Sequence, residues 1–161
     1  MISKETKLKG CFILEPKVFN DKRGYFLESY NQEVFNEIIG KNINFVQDNE
    51  SLSSKGVLRG LHYQAGKFAQ AKLVRVIKGR ILDIAVDITE NSNTFGQYVA
   101  IELSEENKKQ LFIPRGFAHG FVVLSHTAVF SYKCDNFYNK ESEHGIIFSD
   151  PTLNIDWKLP K

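Results

Sequence analysis

The sequence predicts an all-β fold, a sandwich or barrel of many short antiparallel strands. Three observations carry that reading. Apolar runs rich in Val, Ile, Phe and Tyr recur at a spacing of ~8–12 residues and are bounded by Gly, Asn, Asp and Ser turn signals. The aromatic residues, 13 Phe, 6 Tyr and 1 Trp, suit a half-buried pleated surface better than a helical bundle. Neither GxGxxG nor GxxxxGKS/T occurs, so the sequence offers no strand-to-helix cradle for a nicotinamide dinucleotide or a nucleoside triphosphate.

In chain order, strands are expected over residues 11–14 and 25–30. A helix follows over Gln32–Ile39. Asn31 caps it, Val34, Phe35, Ile38 and Ile39 form one apolar stripe, and Gly40 stops it. Further strands are expected over residues 45–53, 57–63, 72–78, 80–87, 98–103, 110–113, 118–124, 127–134 and 146–148. Each is a short β-branched or aromatic run between turn residues. Lys78-Gly79-Arg80 and Ser125-His126 read as tight hairpins.

Size and composition set bounds. A chain of 161 residues without repeats or linkers reads as one domain over 1–161. With 42% apolar and 25% charged residues it is neither disordered nor fibrous. No run approaches the ~18 apolar residues of a membrane span. The start, Met1-Ile2-Ser3-Lys4-Glu5-Thr6-Lys7, lacks the apolar core of a secretory signal, so a cytoplasmic protein is expected. The net charge is only +2 and the basic residues are scattered, which argues against a nucleic-acid partner. Cys11 and Cys134 lie far apart and read as buried free thiols.

Three segments put polar side chains where apolar ones would pack better. In Gly56-Val57-Leu58-Arg59-Gly60-Leu61-His62-Tyr63-Gln64, Arg59 and His62 have opposite strand parity, so a regular strand sends them to opposite faces. Gly60 between them suits a bulge that re-aims one of the two. In the second segment, His119 shares a face with Phe117, Phe121 and Val123 and is flanked by Gly116 and Gly120. In the third, Tyr132 alternates with Phe130 and Cys134. Lys72 falls on a face with Val74 and Val76, a rare place for lysine unless it is paired. Each has an ordinary reading: a surface Arg, a hydrogen-bonded core His, a buried Tyr with a partner, a Lys stem reaching the rim. Together they suggest a lined pocket at a barrel mouth.

Two stretches resemble the paired motifs of cupin barrels, G-x5-H-x-H-x3,4-E-x6-G and G-x5-P-x-G-x2-H-x3-N. Gly56-x5-His62 opens the first, but Gln64 stands at its second His position and Phe68 and Ala69 at its Glu positions. Pro114-x-Gly116-x2-His119 fits the second. The resemblance implies a cupin-type double-stranded β-helix, a jelly-roll barrel with one or two short helices. Only two of the four usual metal ligands remain, and two neutral imidazoles hold a transition metal poorly without a carboxylate or third His. No metal and no cofactor are therefore expected, and a catalytic pocket of His, Tyr, Lys and Arg would be one for proton transfer.

A metal-free branch matches more closely. The chain resembles the dTDP-4-dehydrorhamnose 3,5-epimerase family from Phe12 to Trp157. The matching strings include Phe19-x-Asp21-x-Arg23-Gly24-x-Phe26-x-Glu28, Gln47-Asp48-Asn49-x-Ser51, Gly56 through Gln64 and Gln70-Ala71-Lys72-Leu73-Val74. They continue through Asp83-Ile84-Ala85-Val86-Asp87-Ile88, Ser92-x-Thr94-Phe95-Gly96, Ile113-Pro114-x-Gly116-Phe117-Ala118-His119-Gly120-Phe121 and Asp150-Pro151.

The resemblance implies a role for each matched position. His62 would be the base that removes a proton next to the 4-keto group of the sugar. Tyr132 would be the acid that protonates the opposite face, and Lys72 would steady the enolate oxygen. Arg59 and His119 would sit against the sugar and diphosphate. Arg23, Phe26, Glu28, Gln47 and Asn49 would bind the nucleotide sugar, Tyr138 would stack on the thymine and Glu143 would help to hold the ligand. The resemblance also implies a homodimer with exchanged N-terminal strands. The chemistry fits these residue types. A developing enolate needs a donor aimed at its oxygen, worth on the order of 3 kcal/mol, and His titrates nearest to working pH. A Tyr near a cation should lose its proton more readily than free phenol, and guanidinium forks match a diphosphate.

One feature departs from the family. Its members carry an acidic residue beyond the Trp segment that orients the catalytic His, whereas this sequence ends at Trp157-Lys158-Leu159-Pro160-Lys161. Asp83 is the candidate substitute. The expected activity is epimerisation of a dTDP-4-keto-6-deoxyhexose at C3 and C5. The alternatives are epimerisation at one carbon, a metallo-cupin enzyme and a nucleotide-sugar-binding barrel without chemistry.

Overall fold

The computed structural model describes residues 1–159. Its strands are β1 Ile2–Glu5, β2 Phe12–Glu15, β3 Val18–Asp21, β4 Gly24–Leu27, β5 Gln47–Ser54, β6 Leu58–Gln64, β7 Lys72–Lys78, β8 Arg80–Asp87, β9 Tyr98–Ser104, β10 Gln110–Ile113, β11 Phe117–Val123, β12 Thr127–Cys134 and β13 Glu143–Gly145. The one α-helix among the described residues, α1, spans Gln32–Ile39 between β4 and β5. Asn31 accepts from the backbone N–H groups of Glu33 and Val34, and Gly40 closes the helix at φ 69°.

The strands form a six-stranded sheet of order β1-β2-β10-β7-β12-β5, a five-stranded sheet of order β13-β6-β11-β8-β9, and a separate β3-β4 hairpin. All pairings are antiparallel. The two large sheets enclose one core in which Val74, Val76 and Phe130 of one meet Ile81, Ala85, Phe121 and Val123 of the other. The outer face of the five-stranded sheet is covered by Trp157, with Leu153 and Ile155 beside it. On the outer face of the six-stranded sheet, α1 lays Phe35 and Ile39 over Leu14, Leu73 and Phe112. This is the jelly-roll barrel the sequence leads one to expect.

The connections correct two expectations. Gly79 and Ser125-His126 do not close hairpins, because β7 and β12 lie in one sheet and β8 and β11 in the other. Both are corners at which the chain crosses between sheets, as a jelly roll requires. Turn chemistry marks a reversal but does not identify the strand on its far side. The corners pack on each other, the backbone N–H of Arg80 donating to Ser125 Oγ at 2.8 Å, and the Gly79 N–H donates to Glu105 Oε1, just past β9, at 2.8 Å. Residues 146–148, expected as a strand, are not one, and the pairing to β6 is made just upstream by β13. The added strands β1 and β3 have fully or largely exposed side chains, so no apolar alternation marks them.

Phe35 is fully buried, with its ring centroid 5.2 Å from Phe112, 5.3 Å from Phe45 and 5.7 Å from Tyr30. Phe35→Ala is expected to lower the unfolding free energy by ~3–5 kcal/mol in a urea titration. A loss below ~1 kcal/mol would show that α1 contributes little to the barrel.

Candidate active site

The site begins with a backbone irregularity. Across β6 and β11, His62 pairs with His119 and Arg59 pairs with Phe121, so three steps on one strand match two on the other. This is a β-bulge, and it turns Arg59 and His62 to the same inner face despite their opposite parity. Gly60 takes φ 111° within it. A Cβ on Gly60 would lie 2.5 Å from the carbonyl oxygen of His119 and 2.6 Å from Cα of Gly120, so no other residue fits without parting the strands.

On this inner face the rings of His62 and His119 meet edge to face with centroids 6.0 Å apart. His119 is buried, stacks on Phe130, and places Nε2 3.0 Å from both carboxylate oxygens of the fully buried Asp83. An unpaired carboxylate there would be costly, and the imidazole N–H offsets that cost. Asp83 was the expected partner of His62; its side chain is instead bonded to His119. The parity of β8 points Asp83 inward, but only the pairing of β8 with β11 decides which histidine it meets.

Lys72 opens β7 with 7% of its surface exposed, its Nζ 5.7 Å from the centre of the Tyr132 ring. His62, Lys72 and Tyr132 line a solvent-open cleft of about 390 Å³ together with Gln47, Asn49 and Gln64. Tyr138 and Glu143 stand on its rim, joined by a 2.7 Å hydrogen bond from the phenol to the carboxylate. Arg59 is anchored by its Nε, which donates to Ser53 Oγ at 2.9 Å. Sequence reasoning missed Ser53, Gln64 and Gln70; strand parity alone would have set Ser53 on the face of Gln47 and Asn49.

Arg23, Phe26 and Glu28 are not brought to this cleft. They lie on or beside the β3-β4 hairpin, where Arg23 is paired with Asp21 at 2.6 Å and Phe26 is 68% exposed.

Burial governs the protonation of the cleft. It pushes His62 down from 6.5 to about 3, with Lys72 and His119 adding to the effect. It lowers Lys72 as well, against the attraction of Cys134, Asp83 and Glu143. Tyr132 is raised by burial and by Cys134, and Asn49 and Arg59 oppose the shift without reversing it. The expected easier loss of the phenol proton is therefore corrected: desolvation outweighs the nearby cations. Among the described residues, no three His, Cys, Asp or Glu side chains come together as a metal cage.

The family model for dTDP-4-dehydrorhamnose 3,5-epimerase matches residues 5–161. The chain belongs to the dTDP-4-dehydrorhamnose 3,5-epimerase family. Among relatives in the epimerase family, the Shigella flexneri dTDP-4-dehydrorhamnose 3,5-epimerase is 57% identical over 96% of this chain and 86% of its own. The crystal structure of the Elizabethkingia anophelis epimerase is 63% identical, with a TM-score of 0.96 over 100% of this chain and 88% of that one. A Legionella pneumophila member, solved in complex with dTDP-4-keto-L-rhamnose, is 51% identical, with a TM-score of 0.96 over 99% of this chain and 85% of that one. No helix among the described residues is long and apolar enough to cross a membrane.

The lowered His62 value has a consequence for stability. Below 6.5 the unfolded chain takes a proton that folded His62 refuses until about 3. Its contribution is therefore full above 6.5 and is lost as the pH falls toward 3. Between these limits the unfolding free energy of the protein should fall more steeply than that of His62→Gln, by up to ~1.4 kcal/mol per pH unit. Urea titrations across this range with parallel slopes for the two proteins would refute the assignment.

Proposed function

We propose that the chain is a cofactor-independent epimerase of dTDP-4-dehydro-6-deoxy-D-glucose, inverting C3 and C5 to give dTDP-4-dehydro-L-rhamnose. The observation that carries this reading is the convergence of His62, Lys72 and Tyr132 in one cleft of a chain from this family.

In this reading the His62 imidazole removes the proton from the carbon beside the 4-keto group. The C–H electrons move into the carbonyl and form an enolate. Lys72 donates a hydrogen bond to the oxygen as it gains charge, which is the moment at which a preorganised donor lowers the barrier. Tyr132, kept protonated by its raised pKa, delivers a proton to the opposite face of the same carbon and inverts it. Exchange with solvent returns the proton to the phenol and removes one from the imidazolium. The second carbon repeats the cycle after the sugar shifts. Desolvation, with Lys72 and His119 nearby, makes His62 by itself a weak base. A bound diphosphate adds negative charge and raises it toward working pH. Asp83 keeps the ring of His119 fixed against the sugar.

In the same reading Arg59 meets the diphosphate, and Gln47, Asn49, Tyr138 and Glu143 surround the nucleotide. Arg23, Phe26 and Glu28 complete the site in a homodimer, carried by the hairpin of a second copy. The exposed Phe19, Tyr25 and Phe26 of that hairpin support such a contact. A nucleotide-activated sugar as substrate is consistent with a cytoplasmic protein that engages neither nucleic acid nor membrane.

The direct test is incubation with dTDP-4-keto-6-deoxyglucose in D2O, followed by NMR. Deuterium is expected at both C3 and C5. Label at C3 alone would make the protein a single-carbon epimerase, and no label despite nucleotide binding would leave only a binding barrel. Tyr132→Phe is expected to retain exchange but slow inversion. Lys72→Ala is expected to lower turnover by ~10²-fold or more; a change confined to KM would remove Lys72 from the enolate.

A further inference from the structure

Gln64 follows His62 by two residues on β6 and shares its inner face, at the position where the metal-binding cupin motif carries a histidine. It is 8% exposed, and its amide is used on both sides. Nε2 donates to the Phe68 carbonyl at 2.8 Å and to the Phe137 carbonyl at 3.2 Å, while Oε1 accepts from the Asn139 N–H at 2.6 Å. The last two contacts bracket Tyr138 in the backbone. From the opposite sheet, Gln47 Oε1 accepts the N–H of Tyr138 itself at 3.0 Å. Three successive residues, 137 to 139, are thus each held by a glutamine, yet Tyr138 remains 53% exposed. The result is a fixed backbone that presents a free aromatic face.

Buried amides that satisfy loop backbone in this way cannot be replaced by apolar groups without leaving backbone polar atoms unpaired. A loop ordered before its ligand arrives also spares the binding step that cost. We propose that Gln64 is a positioning residue that preorganises Tyr138 for the nucleotide base and ties that loop to the strand carrying His62. The proposal rests on the reading of Tyr138 as the base-stacking residue. It assigns the vacated metal-ligand position a second use, the placement of substrate.

The test is a double-mutant cycle on the full chain, with dTDP as the probe and affinity read by calorimetry. Gln64→Met keeps volume and removes all three hydrogen bonds. It is expected to weaken dTDP about tenfold and to raise KM for the nucleotide sugar, with kcat changed by less than about threefold. In a Tyr138→Ala background the same change should cost less than about twofold, because its route to the base is already gone. Gln64→Glu retains the acceptor but turns a carboxylate toward two carbonyl oxygens. Its dTDP affinity, relative to the unsubstituted protein at the same pH, should recover as the pH falls and the carboxyl takes a proton. Should Gln64→Met not fold, Gln64→Glu alone decides, and a flat ratio across pH overturns the proposal. Unchanged affinity in Gln64→Met with a loss in Tyr138→Ala overturns the proposal and leaves the stacking role standing. Equal losses from Gln64→Met in both backgrounds also overturn it. Unchanged affinity in Tyr138→Ala removes the stacking role and this proposal together.

Discussion

The cleft depends on two backbones passing closer than any side chain allows. Gly60 on β6 faces His119 and Gly120 on β11, and a methyl group at Gly60 would overlap both. That contact lets the bulge form, and the bulge sets Arg59 and His62 on one face. The guanidinium and the imidazole that we propose for diphosphate binding and proton removal thus come from a single strand. Ser53 on β5 then fixes the guanidinium, and Asp83 on β8 fixes the histidine opposite. Geometry assembled on strands in this way is stiffer than geometry carried by loops.

Burial acts on the titratable groups in one direction. His62 and Lys72 are pushed down and Tyr132 up, so each is driven toward its neutral form. In the proposed reading, a bound diphosphate would favour the charged forms of His62 and Lys72 and so oppose the effect of burial. Behind them the Asp83 side chain is enclosed at 0% exposure, with a ring nitrogen of His119 at hydrogen-bond distance from both of its oxygens.

The two ends of the site are supported differently. At the inner end, strands hold the side chains directly. At the rim, Glu143 opens β13 but Tyr138 lies in the loop before it, where amide side chains take the place of a ladder. Gln64 and Gln47 grip residues 137 to 139, and Gln70 Nε2 donates to the Asn136 carbonyl at 2.8 Å. On the β3-β4 hairpin Phe19, Tyr25 and Phe26 are exposed, with Lys108 lying over the Tyr25 ring.

Much of this was legible in the residues alone. The alternating runs marked most of the strands and Asn31 and Gly40 bounded the helix, because each of these is set by local sterics and hydrogen bonding over a few residues; Gly60 between Arg59 and His62 signalled a bulge that the approach of β11 then shapes. Cupin-motif spacing likewise singled out His62 and His119, and strand parity singled out Lys72 and Tyr132. Tertiary structure decided the long-range pairings. Which histidine meets Asp83, which sheet lies beyond Gly79, and which amide holds Tyr138 are matters of strands distant in sequence becoming neighbours. The direction of the Tyr132 shift was also decided there, since it depends on the balance of burial against charge in the assembled cleft. A local pattern specifies the face to which a side chain points, whereas the residue it meets on that face depends on the pairing of the whole barrel.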